Sequence, residues 1–142
     1  VVRVDRTVRS DVAAPPAACL AVLGAPARYP DWARLVREAE VRDGTVHLRV
    51  EVLGMSTEMA CALELAPEGA VLRRLPYDDA DDERFTAAFA VRPAGAGAAV
   101  ELHVTAAIDV PGAASFLRGR IERRLADDLL ADLAAAAPKA SG

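Results

Sequence analysis

At 142 residues the chain fits one domain, long enough to bury roughly 70% of the surface that its unfolded form exposes. A hydrophobic fraction of 53% excludes a disordered protein, although 32 of those residues are alanine and only six are aromatic. A net charge of −4 without a basic block argues against a nucleic-acid surface, and the absence of Asn and Gln removes any mechanism that needs a side-chain amide.

Two cysteines, Cys19 and Cys61, are too few for a disulfide framework and match no metal-ligand spacing. They read as core thiols in a reducing compartment. No apolar run is long enough for a membrane span, and the Ala-rich stretch from Val12 to Ala27 is interrupted by Pro15, Pro16 and Pro26. Neither a membrane span nor a secretory signal is predicted, and a cytoplasmic location is expected. The chain opens on Val1, which leaves its true N-terminus open.

Val2, Val4 and Val8 alternate with Arg3, Asp5, Thr7 and Arg9, the period-2 pattern of a half-buried strand. Pro15-Pro16 then leads into a short helix through Leu23, punctuated by Gly24 and Pro26. A second helical turn is predicted over Pro30–Leu35. Six alternating segments follow: Val36–Arg42, Thr45–Leu53, Thr57–Ala66, Ala70–Leu75, Glu83–Arg92 and Ala98–Val110. Asp43-Gly44 is a hairpin signal, Pro67-Glu68-Gly69 and Pro93–Gly97 read as turns, and Asp78–Asp82 reads as a solvated acidic loop. Short turns throughout predict an antiparallel meander. Pro111-Gly112 ends the sheet. A long helix is predicted from about Ala113 to Ala137, because Leu117, Ile121, Leu125, Leu129 and Leu133 recur in a stripe roughly 160° wide. Residues 1–137 are read as a single domain, and 138–142 as a disordered tail.

Parity sorts the strand residues into faces. One face collects Val46, Leu48, Val50 and Val52, then Met59, Cys61, Leu63 and Leu65, then Phe85, Ala87, Phe89 and Val91, and finally Val100, Leu102, Val104, Ala106 and Ile108. That inward face is almost purely apolar. His47 and His103 fall on the opposite face, so no His-based metal pair or triad is predicted. With no glycine-rich phosphate loop and no nucleophile elbow, no cofactor is expected. Ala87, Ala106, Ala113 and Ala114 supply little volume, which favours internal space over dense filling.

A strand, a helical pair, a six-strand meander and a long amphipathic helix, in that order, resemble the START / polyketide cyclase–dehydrase (SRPBCC) superfamily. Val8–Pro15 is similar to the family's first strand and Ala-Pro entry, and Arg28-Tyr29-Pro30-Asp31-Trp32 to its Tyr-Pro-x-Trp segment. Asp109-Val110-Pro111-Gly112 sits where the family's last strand passes into the long helix. The resemblance implies an α+β helix-grip fold. In it a curved seven-stranded antiparallel sheet wraps a long C-terminal helix, two short helices follow the first strand, and a cavity is enclosed.

The guest that the resemblance implies is a hydrophobic small molecule (a polyketide, an aromatic, a lipid, or an isoprenoid or quinone). It would be bound by a monomer or homodimer with no nucleic acid and no stable membrane insertion. Expected lining residues are Tyr29, Trp32, Met59, Cys61, Leu63, Leu72, Phe85, Phe89, Leu102, Val104, Phe116 and Arg120. The family's cyclases carry an arginine on a strand that here offers Met59, Cys61, Leu63 and Leu65, so the polar candidates are Arg6, Arg74, Tyr29, Tyr77 and Arg120. For catalysis the expectation is Arg74 with Tyr77, then Arg6. Arg73 remains the alternative to Arg74, because Val71 and Leu75 share its parity. Tyr29 and Trp32 either gate the mouth or staple the short helix to the sheet. Three functions stay open: a carrier, a metal-independent cyclase or dehydratase, and a partner-binding protein on the same fold.

Overall fold

The structure, a computed structural model, describes residues 1–109 and 114–140. Alternating valines form β1 (Val2–Val12), after which Pro15 and Pro16 start α1 (Pro16–Leu23) where no backbone N–H is needed. The Gly24 N–H closes α1 on the Leu20 carbonyl at 2.8 Å. The second helical turn is a 3-10 turn over Pro26–Asp31, not Pro30–Leu35. Pro26 starts it, and Tyr29 anchors it: the buried phenol donates to the Leu23 carbonyl at 2.6 Å, while the Ala33 N–H donates to the Tyr29 carbonyl at 2.8 Å.

The meander comprises β2 (Val36–Arg42), β3 (Thr45–Val52), β4 (Met55–Ala66), β5 (Gly69–Arg74), β6 (Arg84–Ala94) and β7 (Gly97–Ile108). All neighbours are antiparallel, in the order β1-β7-β6-β5-β4-β3-β2, so β1 joins beyond β7. Asp43-Gly44 makes the predicted hairpin with φ of 52° and 77°. A second tight turn of the same kind, Leu53-Gly54 with φ of 51° and 79°, starts β4 at Met55 instead of Thr57. At the other end of β5 the backbones crowd, and a Cβ on Gly69 would lie 2.2 Å from the Phe89 carbonyl oxygen.

The long helix is not uniform. A 3-10 turn (Ala114–Leu117) leads into α2 (Arg118–Glu122), a π turn (Arg123–Asp127) and α3 (Asp128–Ala140). In a regular α-helix a four-residue spacing drifts by about 40° per step. A turn closed by i→i+5 bonds absorbs that drift, and Ile121, Leu125, Leu129 and Leu133 are all buried. The helix continues through Pro138 to Ala140, past its predicted end, because fully buried Ala137 holds the last turn. Val110, Pro111, Gly112 and Ala113, read as the strand end and helix start, lie outside the described residues, as do Ser141 and Gly142.

The long helix packs chiefly on β1 and α1, and meets β7 through its π turn. Arg6, on β1, donates two hydrogen bonds to Asp127 of the π turn, at 2.5 and 2.8 Å. Arg34 ties the segment before β2 to α3, its backbone N–H and Nε each 2.9 Å from an Asp132 oxygen. Because the Gly69 contact is with backbone, Gly69→Ala should lower the unfolding free energy in urea by about 2–3 kcal/mol, the cost of an overpacked site. An unchanged urea midpoint would show that β5 and β6 can part at no cost.

Candidate functional site

Beyond the strands that the helix covers, the concave face opens into a cavity of about 110 Å³. Leu48, Val50, Met59, Leu63, Ala70, Leu72, Phe85, Ala87 and Phe89 line it from the sheet, and Ile121, Leu125 and Leu129 from the helix. Tyr29, Trp32, Ala33, Leu35 and Val36 form a side wall. Val52, Met55, Thr57, Glu83, Arg84, Ile108 and Asp109 line it at the ends of their strands. The volume suits one aromatic ring. It lies below the ~300–1,000 Å³ of drug-sized sites, so a larger guest requires the walls to move.

The polar residue that matters most is Arg74. Its side chain is 11% exposed, and Nη1 forms an ion pair with Asp81 Oδ2 at 2.7 Å and donates to the Glu83 carbonyl at 3.0 Å. Asp81 in turn accepts the backbone N–H of Tyr77 at 2.8 Å and of Glu83 at 3.1 Å. The acidic loop therefore folds around one carboxylate, which the Tyr77 N–H and Arg74 hold below the usual carboxylate range. Arg74 Nε is buried with no acceptor, and so is Trp32 Nε1. A buried donor left unmatched costs about 1–3 kcal/mol. Tyr29 packs edge-on against Trp32, with ring centroids 5.6 Å apart, and burial raises its phenol pKa. Burial also pushes the Cys61 thiol up to about 11, against the pull of Arg74. Among the described residues no three His, Cys, Asp or Glu side chains gather as a metal site.

Residues 2–138 match the family model described as "Polyketide cyclase / dehydrase and lipid transport". The chain belongs to that family. No curated protein matches the sequence. Solved structures agree on the helix-grip, START-like fold. A START superfamily protein from Mycobacterium smegmatis matches with a TM-score of 0.74 at 17% identity, over 96% of this chain and 97% of the other. A protein from Thermus thermophilus matches with 0.78 at 18%, over 98% and 100%. The ZhuI aromatase/cyclase from Streptomyces sp. R1128 matches with 0.69 at 21%, over 97% and 92%. Among the described residues no helix is long and apolar enough to cross a membrane.

Of the residues singled out from the sequence of this family member, Tyr29, Trp32, Met59, Leu63, Leu72, Arg74, Phe85 and Phe89 line the cavity. Cys61, Leu102 and Val104 are fully buried but do not. Parity gives a residue's face, not what covers it, and β7 lies under the helix. Leu65 shares that parity yet is 58% exposed near the end of β4. Tyr77 and Phe116 are 89% and 75% exposed, and Arg120 is exposed, so none of the three lines the cavity. Arg6 is held by Asp127 outside the cavity. Arg74, not Arg73, faces in: Ala70, Leu72 and Arg74 line the space together, while Arg73 pairs with Glu64 at 3.0 Å. His103 is exposed on the outer face against Asp5, 2.7 Å away, and His47 does not line the cavity.

The inward face read from the sequence includes Val52, which lines the cavity, but not Met55 and Thr57. The parity these two share with Met59 was a usable signal, once Leu53-Gly54 is recognised as a turn. Ala33, Leu35 and Val36 carry no periodic signal.

The carboxyl groups of Asp81 and Asp127 both titrate below the ordinary range when folded, so the unfolded chain binds their protons more readily. The stability they contribute is complete above about pH 4 and is lost as pH falls through their depressed folded values. The urea midpoint should therefore drop as pH falls below about 4. Asp81→Asn should be less stable at pH 7 and should show a shallower acid-side fall. An acid limb unchanged in that variant would remove Asp81 from the account.

Proposed function

We propose that the protein binds an apolar small molecule of polyketide, aromatic, lipid or isoprenoid-quinone type in this cavity, and acts as its carrier. The observation that carries the reading is the segregation of the sheet's two faces. Apolar side chains from sheet, helix and side wall surround the cavity, while ion pairs such as Arg49–Glu58 and Arg73–Glu64 lie elsewhere on the sheet. The family description, which names lipid transport beside cyclase chemistry, supports the same reading.

A second reading, a cyclase or dehydratase, is favoured by Arg74 alone, since a cavity-lining guanidinium could hold an enolate oxygen. Against it, the phenol of Tyr77 stands exposed outside the cavity, where it cannot relay a proton to the guest. Loss of at least ~10²-fold in turnover by Arg74→Ala, with binding intact, would favour this second reading.

Trp32 is the chain's only tryptophan and lines the cavity, so its emission reports occupancy. Durene (1,2,4,5-tetramethylbenzene) and naphthalene should alter Trp32 emission and raise the melting temperature. Ala70→Leu, which extends a buried lining side chain into the space, should abolish both responses while the circular dichroism spectrum persists. A variant that binds as well as the parent, or a parent that neither probe affects, overturns the carrier reading.

A further inference from the structure

We infer that the guest carries neutral acceptor oxygens, as a ketone or quinone does, and that Trp32 Nε1 and Arg74 Nε are the donors that select it. The inference rests on the cavity-binding reading and adds the chemistry of the guest. Among the described residues, these two nitrogens are the only buried side-chain nitrogen or oxygen atoms without a hydrogen-bond partner. Both belong to cavity-lining residues, and both can only donate. What the apolar walls lack is therefore an acceptor.

The charge balance decides which kind. Asp81 already neutralises Arg74 at 2.7 Å, and the lining adds Arg84 but also Glu83 and Asp109. Two cations thus face three carboxylates, and a carboxylate guest would bring a fourth. Burying that ion costs far more than burying a carbonyl oxygen, which needs only the hydrogen bond that each donor offers.

The donors also stand on different walls. Arg74 projects from β5 within the sheet, whereas Trp32 follows the 3-10 turn that leads into β2. The indole is held by its edge contact with Tyr29, which is itself fixed through its hydroxyl to the Leu23 carbonyl at 2.6 Å. A guest with oxygens on two sides of an apolar ring meets both donors without reorganising either, and the preorganised indole sets specificity.

Three probes of one shape test this: duroquinone with two opposed carbonyls, durene with none, and 2,3,5,6-tetramethylbenzoate with a charge. Affinities from calorimetry at pH 7.5 should place duroquinone at least about tenfold tighter than durene, with the benzoate weaker than duroquinone. In ¹H–¹⁵N spectra the Trp32 indole N–H and the Arg74 Nε–H should move downfield with duroquinone and not with durene. The duroquinone-to-durene ratio should fall about threefold or more in Trp32→Phe. It should fall likewise in Arg74→Met, and should that variant fail to fold, Trp32→Phe alone decides. Equal affinities for durene and duroquinone, unmoved N–H signals, an unchanged ratio in Trp32→Phe, or a benzoate that binds tighter than duroquinone would each overturn the inference while leaving the cavity reading standing. Failure of duroquinone, durene and naphthalene alike to bind would overturn both.

Discussion

One helix is too narrow for the sheet it serves. Seven strands at roughly 4.8 Å spacing span about 29 Å, whereas a helix with its side chains is about 10–12 Å wide. The long helix therefore covers β1, reaches β7 at its π turn, and leaves part of the concave face of the other strands uncovered. Larger side chains could fill such a gap, but the chain has six aromatic residues against 32 alanines. Ala70 and Ala87 sit in the lining itself. At about 24 cal/mol per Å³, an empty space of 110 Å³ costs about 2–3 kcal/mol, a large share of the net stability of one domain. A guest that fills the space recovers part of that cost.

The same geometry explains why polar groups matter more here than their number suggests. An arginine on the inner face must carry its counter-charge with it, and the β5–β6 loop brings Asp81 for that purpose. The result is a neutralised guanidinium with one nitrogen left over. Arg6 meets the equivalent demand through Asp127, and both nitrogens on its near edge are engaged. The two arginines satisfy one electrostatic rule and end in different states, one saturated and one with a vacant donor.

How much of this was legible in the sequence depends on the range of the interaction. Alternation along each strand predicts the inward face, and Asp43-Gly44 predicts the first hairpin, because both are local. Leu53-Gly54 escaped because leucine rarely adopts a positive φ, so nothing at that position marks a turn. The helical turn was placed four residues late because Pro30 looks like a start, whereas Pro26 starts it and the Tyr29 hydroxyl fixes it. Arg74 was legible as a candidate, but its partner was not, since the acidic loop reads as solvated until Asp81 is seen gathering two backbone N–H groups. Leu102 and Val104 have the predicted face but the wrong neighbour, for which only the position of the helix over β7 could have spoken.

The π turn gives the long helix the character of a chain with one residue more than a regular helix would hold. Deleting a single residue between Arg123 and Asp127 would let the whole segment wind as an α-helix. Because the π turn spreads about the same sweep over one extra residue, everything that follows would keep nearly the same facing about the axis. Leu129 and Leu133 would stay on the sheet, and Asp132 would stay within reach of Arg34, the link that holds the cavity's side wall to the helix. A one-residue deletion here is thus milder than one in the regular turns of α3, where everything beyond it would rotate by about 100°.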